Sequence, residues 1–170
     1  MLEQGISRKF KKISTNKMKI IDCIVQNDEI IKHSLDLGKI NIDSIKVDES
    51  LRREFFKKHL ILDFFTHDLH IEDIVYYMVT PLNGYTAPRS PLSTDIYTIS
   101  IICPARYWYI QHKMQERPFV IAQEIAESLD QQREFGVGQI EITQWRAYRL
   151  NDDFACLELT IQVSDMAVKR

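Results

Sequence analysis

The chain has 170 residues and a mass of 20.0 kDa, a length that suits one domain and buries roughly 70% of the surface its unfolded form would expose. It needs neither a disulfide nor a metal to fold. An apolar share of 45% and a charged share of 27% exclude a disordered, collagen-like or coiled-coil chain as a whole. Lys plus Arg total 22 against 24 Asp plus Glu, a net charge of −2, which excludes a surface devoted mainly to phosphate, because that role requires clustered positive charge. Three isolated cysteines, Cys23, Cys103 and Cys156, form neither a CxxC pair nor a Cys/His cluster and read as buried small hydrophobes of a reducing compartment. No secretory h-region opens the chain, and no run reaches the roughly 20 apolar residues of a membrane span.

Residues 1–16 read as a flexible basic arm. Arg8, Lys9, Lys11 and Lys12 stand against a single acid, Glu3, with few large apolar residues to bury. Such an arm is a candidate contact for nucleic acid or an acidic partner. From Asn16, placed as an N-cap, Met18, Ile20, Ile21, Ile24 and Val25 recur at three- and four-residue steps and predict a helix. The stripe continues through Asn27-Asp28-Glu29 to Ile30, Ile31 and Leu35, and Gly38 marks its end.

Residues 39–50 read as irregular or briefly extended. Asp48-Glu49-Ser50 opens a short amphipathic helix through Leu60, and Leu60 to Phe65 fits either a helix end or a buried strand. Asp73 to Val79, rich in β-branched and aromatic residues, predicts a strand. The stretch Thr80 to Thr94 holds Pro81, Pro88, Pro91 and an Asn-Gly pair and is predicted as a long loop. Tyr85, Pro88 and Arg89 make it the candidate partner contact, with aromatic area, a stiffened backbone and a charged hydrogen-bond donor.

Asp95 to Tyr107 alternates as a strand whose more apolar face carries Tyr97, Ile99, Ile101 and Cys103. Pro118 opens the cleanest helix, to Gln132, with Phe119, Ala122, Ile125, Ala126 and Leu129 on its apolar side. Gln139–Leu150 and Phe154–Asp165 form an antiparallel hairpin across Asn151-Asp152-Asp153, with Leu157, Leu159, Ile161 and Val163 on its core face. The order predicts a single α+β domain over residues 17–170, a mostly antiparallel β-sheet with helices packed on one face.

The sequence carries no recognisable catalytic motif. His67, Asp68 and His70 form its densest ligand group, but the spacing is not HExxH and no second cluster completes a site. GxSxG, P-loop and GxGxxG patterns are absent. His33, His59 and His112 read as surface or helix-end residues. An aromatic-basic surface around Trp145 and Arg146 could stack single strands, yet Trp145 and Tyr148 differ in parity and cannot share a sheet face. The expectation is a non-enzyme without metal or cofactor. A metal-dependent hydrolase built on His67, Asp68 and His70, and a nucleic-acid-binding module using the arm with Trp145 and Arg146, are the alternatives.

The helix Met18 to Ile30, the strand Asp95 to Arg106, the helix Pro118 to Leu129 and the hairpin Gln139 to Asp165 succeed one another in an order that resembles the small tail-terminator and neck proteins of tailed bacteriophages, over roughly residues 17–166. The proline-rich middle and the basic arm depart from the commoner pattern. The resemblance implies a virion structural protein assembled in the host cytoplasm, a homo-oligomeric ring, commonly a hexamer, that caps the tail tube and joins it to the head connector. Its implied partners are other copies of itself, the tail tube protein and the connector or neck proteins, with proximity to DNA in the lumen and no membrane. The family supplies no catalytic residues to carry over.

Overall fold

A computed structural model describes residues 2–35, 42–62, 72–86, 92–110, 114–131 and 139–166. The first helix, α1 (Leu2–Gln26), absorbs the predicted flexible arm: residues 2–16 are its first turns. The reason is tertiary. Ile13 packs against the core, Asn16 is buried, and Lys12 lies 3.9 Å from the carboxylate of the buried Asp95. Asn16 is therefore helix interior and not an N-cap.

That cap belongs to Asn27, where the predicted continuous helix breaks. Its Oδ1 accepts the N–H groups of Glu29 (2.8 Å) and Ile30 (3.1 Å), and α2 (Asp28–Leu35) restarts there, as short polar side chains at a helix start favour. A 3-10 turn (Ile42–Ser44) precedes α3 (Glu49–His59), which Asp48 caps by accepting Leu51 N–H at 2.9 Å. Arg52 of α3 then donates to the carbonyl of Val25 at 2.9 Å and to Asp28, holding the α1–α2 corner.

The sheet runs β1 (Leu60–Ile61), β2 (Tyr76–Thr86), β3 (Leu92–Pro104), β7 (Phe154–Met166), β6 (Gln139–Arg149) in spatial order. Among the described residues only the short β1–β2 pair is parallel. The predicted loop Thr80–Thr94 is corrected here. Thr80 to Thr86 belongs to β2 and Leu92 to Thr94 to β3, paired in register as far as Thr86 opposite Ser93. Pro81 sits where β2 has no outer neighbour among the described residues, beside a register shift between Pro81 and Asn83. An edge position beside a bulge is where a strand tolerates proline.

A 3-10 turn (Ala105–Tyr107) and the small hairpin β4 (Tyr109–Ile110) and β5 (Gln115–Glu116) lead into α4 (Arg117–Gln131). The final hairpin turns on Asn151, whose Oδ1 accepts from Asp153 (2.9 Å) and Phe154 (2.8 Å).

The architecture is the α+β single domain expected, with the four helices on one side of the mostly antiparallel sheet. Tyr77, Val79, Tyr97, Ile99, Ile101, Leu157, Leu159 and Ile161 face the helices and join one core with Ile20, Ile24, Ile121, Ile125 and Leu129. Within that layer α4 packs on β3, β7 and β6, α1 on α4 and β2, and α3 on α1, β1 and β2. Buried polar groups fasten the layer. Tyr77 OH meets Ser34 Oγ of α2 at 2.5 Å, and Tyr97 OH donates to the carbonyl of Ile13 at 3.3 Å. Arg117, 2% exposed, donates to the carbonyls of Tyr107 (2.9 Å) and His33 (2.6 Å), a cation at the C-terminal end of α2.

Two outcomes test this packing. Leu159→Ala is expected to cost about 2–5 kcal/mol, read from chemical denaturation; a loss below about 0.5 kcal/mol would remove β7 from the core. His59, buried at the end of α3, stacks on Phe55 and sits 2.7 Å from the carbonyl of Val75, to which its Nδ1–H donates. Burial, with Lys58 adding, depresses its pKa against the opposing pull of Val75, Glu54 and Glu72. The unfolded chain, titrating near pH 6.5, therefore takes up the proton first on acidification. The stabilisation is full above that value and falls as pH drops through it. Denaturation midpoints at pH 7 and pH 5 should differ less in His59→Asn, which keeps an N–H donor without titrating; an unchanged slope would assign the pH dependence elsewhere.

Candidate functional site

The outermost long strand, β6, pairs only with β7 and leaves its other edge open along eleven residues among those described. An edge of that length presents a row of unpaired N–H and C=O groups, a template for another strand. A bulge at Thr143, between Ile142 and Gln144, shifts the facing of the C-terminal half of the strand. Ile140 and Ile142 lean on the core, whereas Thr143 to Arg149 are all exposed.

Beyond the bulge the two faces of β6 differ. Trp145, opposite Leu159, lies on the helix side, 59% exposed, edge-on to Phe119 of α4 at 5.3 Å. From Phe119 an exposed stripe runs up α4 through Gln123, Glu127 and Asp130 at helical spacing. A shallow depression beside it is lined by Gln115, Glu116, Phe119, Val120 and Gln123, and Glu116 accepts Trp108 Nε1–H at 2.9 Å. The amides of Gln115 and Gln123 and the carboxylate of Glu116, engaged by Trp108, offer polar contact surface there.

On the opposite face Arg146 donates to Glu158 at 2.8 Å and lies over the Tyr148 ring. The rows Tyr76-Ile102-Cys156-Tyr148, Met78-Ser100-Glu158-Arg146 and Thr80-Thr98-Thr160-Gln144 cross four strands there. Trp145 and Tyr148 thus occupy opposite faces, as their parity requires, and Arg146 is separated from Trp145 in the same way.

At the other end of the sheet β1, among the described residues, pairs with β2 at Tyr77 and Met78 alone. The helix beside it, α3, exposes Arg53 and Lys57, one turn apart, while its Lys58 pairs with Glu54 at 2.7 Å. Lys17 of α1 reaches the carbonyl of the exposed Leu62 at 3.3 Å.

The site residues expected from sequence are scattered over the fold. Lys12 is engaged with Asp95 and Lys11 is exposed on α1; Arg8 and Lys9 belong to the backbone of the same helix. Tyr85 lies in the backbone of β2, opposite Thr94, and is not a loop residue. Pro88 and Arg89 fall outside the described residues, as do His67, Asp68, His70 and His112. His33 and His59 are helix-end residues, both buried. The described residues include no metal-ligating cluster of three or more and no helix long and apolar enough to cross a membrane. Sequence reading overlooked Phe119, Glu127 and Asp130 as one surface with Trp145. Their spacing on α4 was available, but the strand that α4 lies beside was not.

The three cysteines are buried and free. Burial pushes the Cys23 thiol up to about 11, with Asp22 adding, and the Cys103 thiol up to about 12 despite Arg117; burial raises Cys156 as well. Because the thiolate is the reactive form, a thiol-reactive dye at pH 8 should leave all three unlabelled in the folded protein and label all three in denaturant. Rapid native labelling would show the thiols to be accessible.

No curated protein matches the chain. A family model described as YomW matches residues 25–163, from the end of α1 through most of β7. The chain belongs to the YomW family.

Proposed function

We propose that this chain is a structural ring-forming protein of the tailed-phage neck, a tail terminator that caps the tail tube and joins it to the head connector. One observation carries the self-association. The four long strands alternate in direction as β2, β3, β7 and β6, so the two outer strands of the set run antiparallel to each other. The short β1 runs parallel to β2 on its outer side, so a copy added edge to edge, β6 beside the β1–β2 edge, continues the alternation without reversing the subunit. Such a contact is heterologous, and it closes into a ring when the rotation between copies closes.

The element order of helix, strand pair, helix and hairpin supports the neck assignment by its resemblance to that family. The function remains that of an assembly contact: β6 supplies backbone hydrogen bonds, and Trp145 and Phe119 supply apolar area. The bulge at Thr143 and the charges Arg146 and Arg149 limit which strands can add. The tail tube protein and the connector are then the ring's neighbours above and below, and the site of action is the virion.

Particles made without this protein should contain filled heads and tails that do not join, or tails of wrong length, by electron microscopy. Normal joining in its absence would remove the reading.

A further inference from the structure

The helical layer is charged asymmetrically from one sheet edge to the other. Beside β6, α4 carries Glu124, Glu127 and Asp130 and no basic residue after the buried Arg117. Glu127 and Asp130 continue the exposed stripe that starts at Phe119 and Trp145. At the opposite side of the layer, Arg53 and Lys57 share an exposed face of α3. None of these four charges makes an ion pair among the described residues. Leu62, exposed directly after β1, adds apolar surface on that basic side.

We propose that the occupant of the α4–β6 edge is the α3–β1 edge of a second copy of this chain. Trp145 and Phe119 are its apolar anchor, and Glu127 and Asp130 face Arg53 and Lys57 of the neighbour. This rests on the ring reading above and names the surfaces that form it. Charge complementarity decides between arrangements. A two-fold contact of α4–β6 with itself would set the acidic stripe against its own copy, and like charges face to face disfavour association. The head-to-tail contact pairs opposite signs at every junction. It also brings a partly exposed Trp and Phe together at the centre of an interface, where aromatic residues contribute most.

The test uses the purified full chain in sedimentation equilibrium at low and high salt. Wild type should associate with increasing concentration, more weakly in high salt. Glu127→Lys/Asp130→Lys and Arg53→Glu/Lys57→Glu should each associate about tenfold or more weaker, with melting temperatures near wild type because all four side chains are exposed. An equimolar mixture of the two variants should regain association, since each then offers the sign the other lacks. Trp145→Lys should associate weakly alone and in any mixture. A two-fold contact predicts a different pattern: the α3 variant, whose α4–β6 surface is unchanged, would associate by itself like wild type, which overturns the proposal. Wild-type oligomers indifferent to every variant would also overturn it while leaving a ring by another contact intact. A chain monomeric at all concentrations removes the contact between copies, and the joining phenotype then judges the neck reading by itself.

Discussion

Tyr77, Val79, Tyr97, Ile99, Ile101, Leu157, Leu159 and Ile161 share one surface of the sheet, and water has to be kept from all of it. Two of these residues are tyrosines, so the cover must also satisfy hydroxyl groups, because a buried polar group without a partner costs more than its hydrogen bond returns. Tyr77 finds Ser34 of α2 and Tyr97 finds the carbonyl of Ile13 in α1. Burial raises the pKa of both phenols, that of Tyr97 to about 12 with Asp95 adding. Each therefore stays protonated and can donate. The helices are thus positioned by apolar area and by two hydroxyl groups that project into it.

The same requirement explains why α1 is long. Lys12, Ile13 and Asn16 lie over the end of the sheet that carries Tyr97 and Asp95, so helix is needed well before the apolar periodicity begins at Met18. It explains the buried Arg117 as well. Its guanidinium occupies the corner where α2 ends and α4 begins, and donates to carbonyls that helix ends leave unsatisfied. Arg52 acts likewise at the corner between α1 and α2.

The helices cover one face and leave the edges as they are. The opposite face carries short polar residues in its middle, Thr98, Ser100 and Thr160, flanked by Tyr76, Glu158 and Arg146, and Tyr76, Thr98 and Ser100 are buried there as well. The edges differ. A two-residue strand caps one end in part, and the eleven residues of β6 lie open at the other, beside the acidic stripe of α4. A fold does not by itself assign a function. Here the unfinished part of the structure is an edge with aromatic anchors and a charge pattern that matches the opposite end of the molecule, which is why assembly is the chemistry proposed for it.

Local signals in the chain were sufficient for the elements whose periodicity is uninterrupted. The buried Ile125 and Leu129 of α4, the alternation in β3 and β7, the helix opening at Asp48 and the Asn151 turn all read directly from neighbouring residues, because each depends on contacts within a few positions, whereas Phe119, expected on the apolar side of α4, is exposed. They misled where distant contacts outweigh local preference. Residues 2–16 look too polar to form a helix that packs, yet Ile13 and Asn16 meet a strand more than 80 residues away. Thr80 to Thr86 looks like loop because of Pro81 and Asn83-Gly84, but pairing with β3 and a bulge accommodate them. Asn27 looks passable inside a helix until its side chain is seen bonding Ser128 of α4 at 2.6 Å. The separation of Trp145 from Tyr148 came from parity along one strand. The union of Trp145 with Phe119, Glu127 and Asp130, and their opposition to Arg53 and Lys57, came only from the order of helices across the sheet, which no local periodicity encodes.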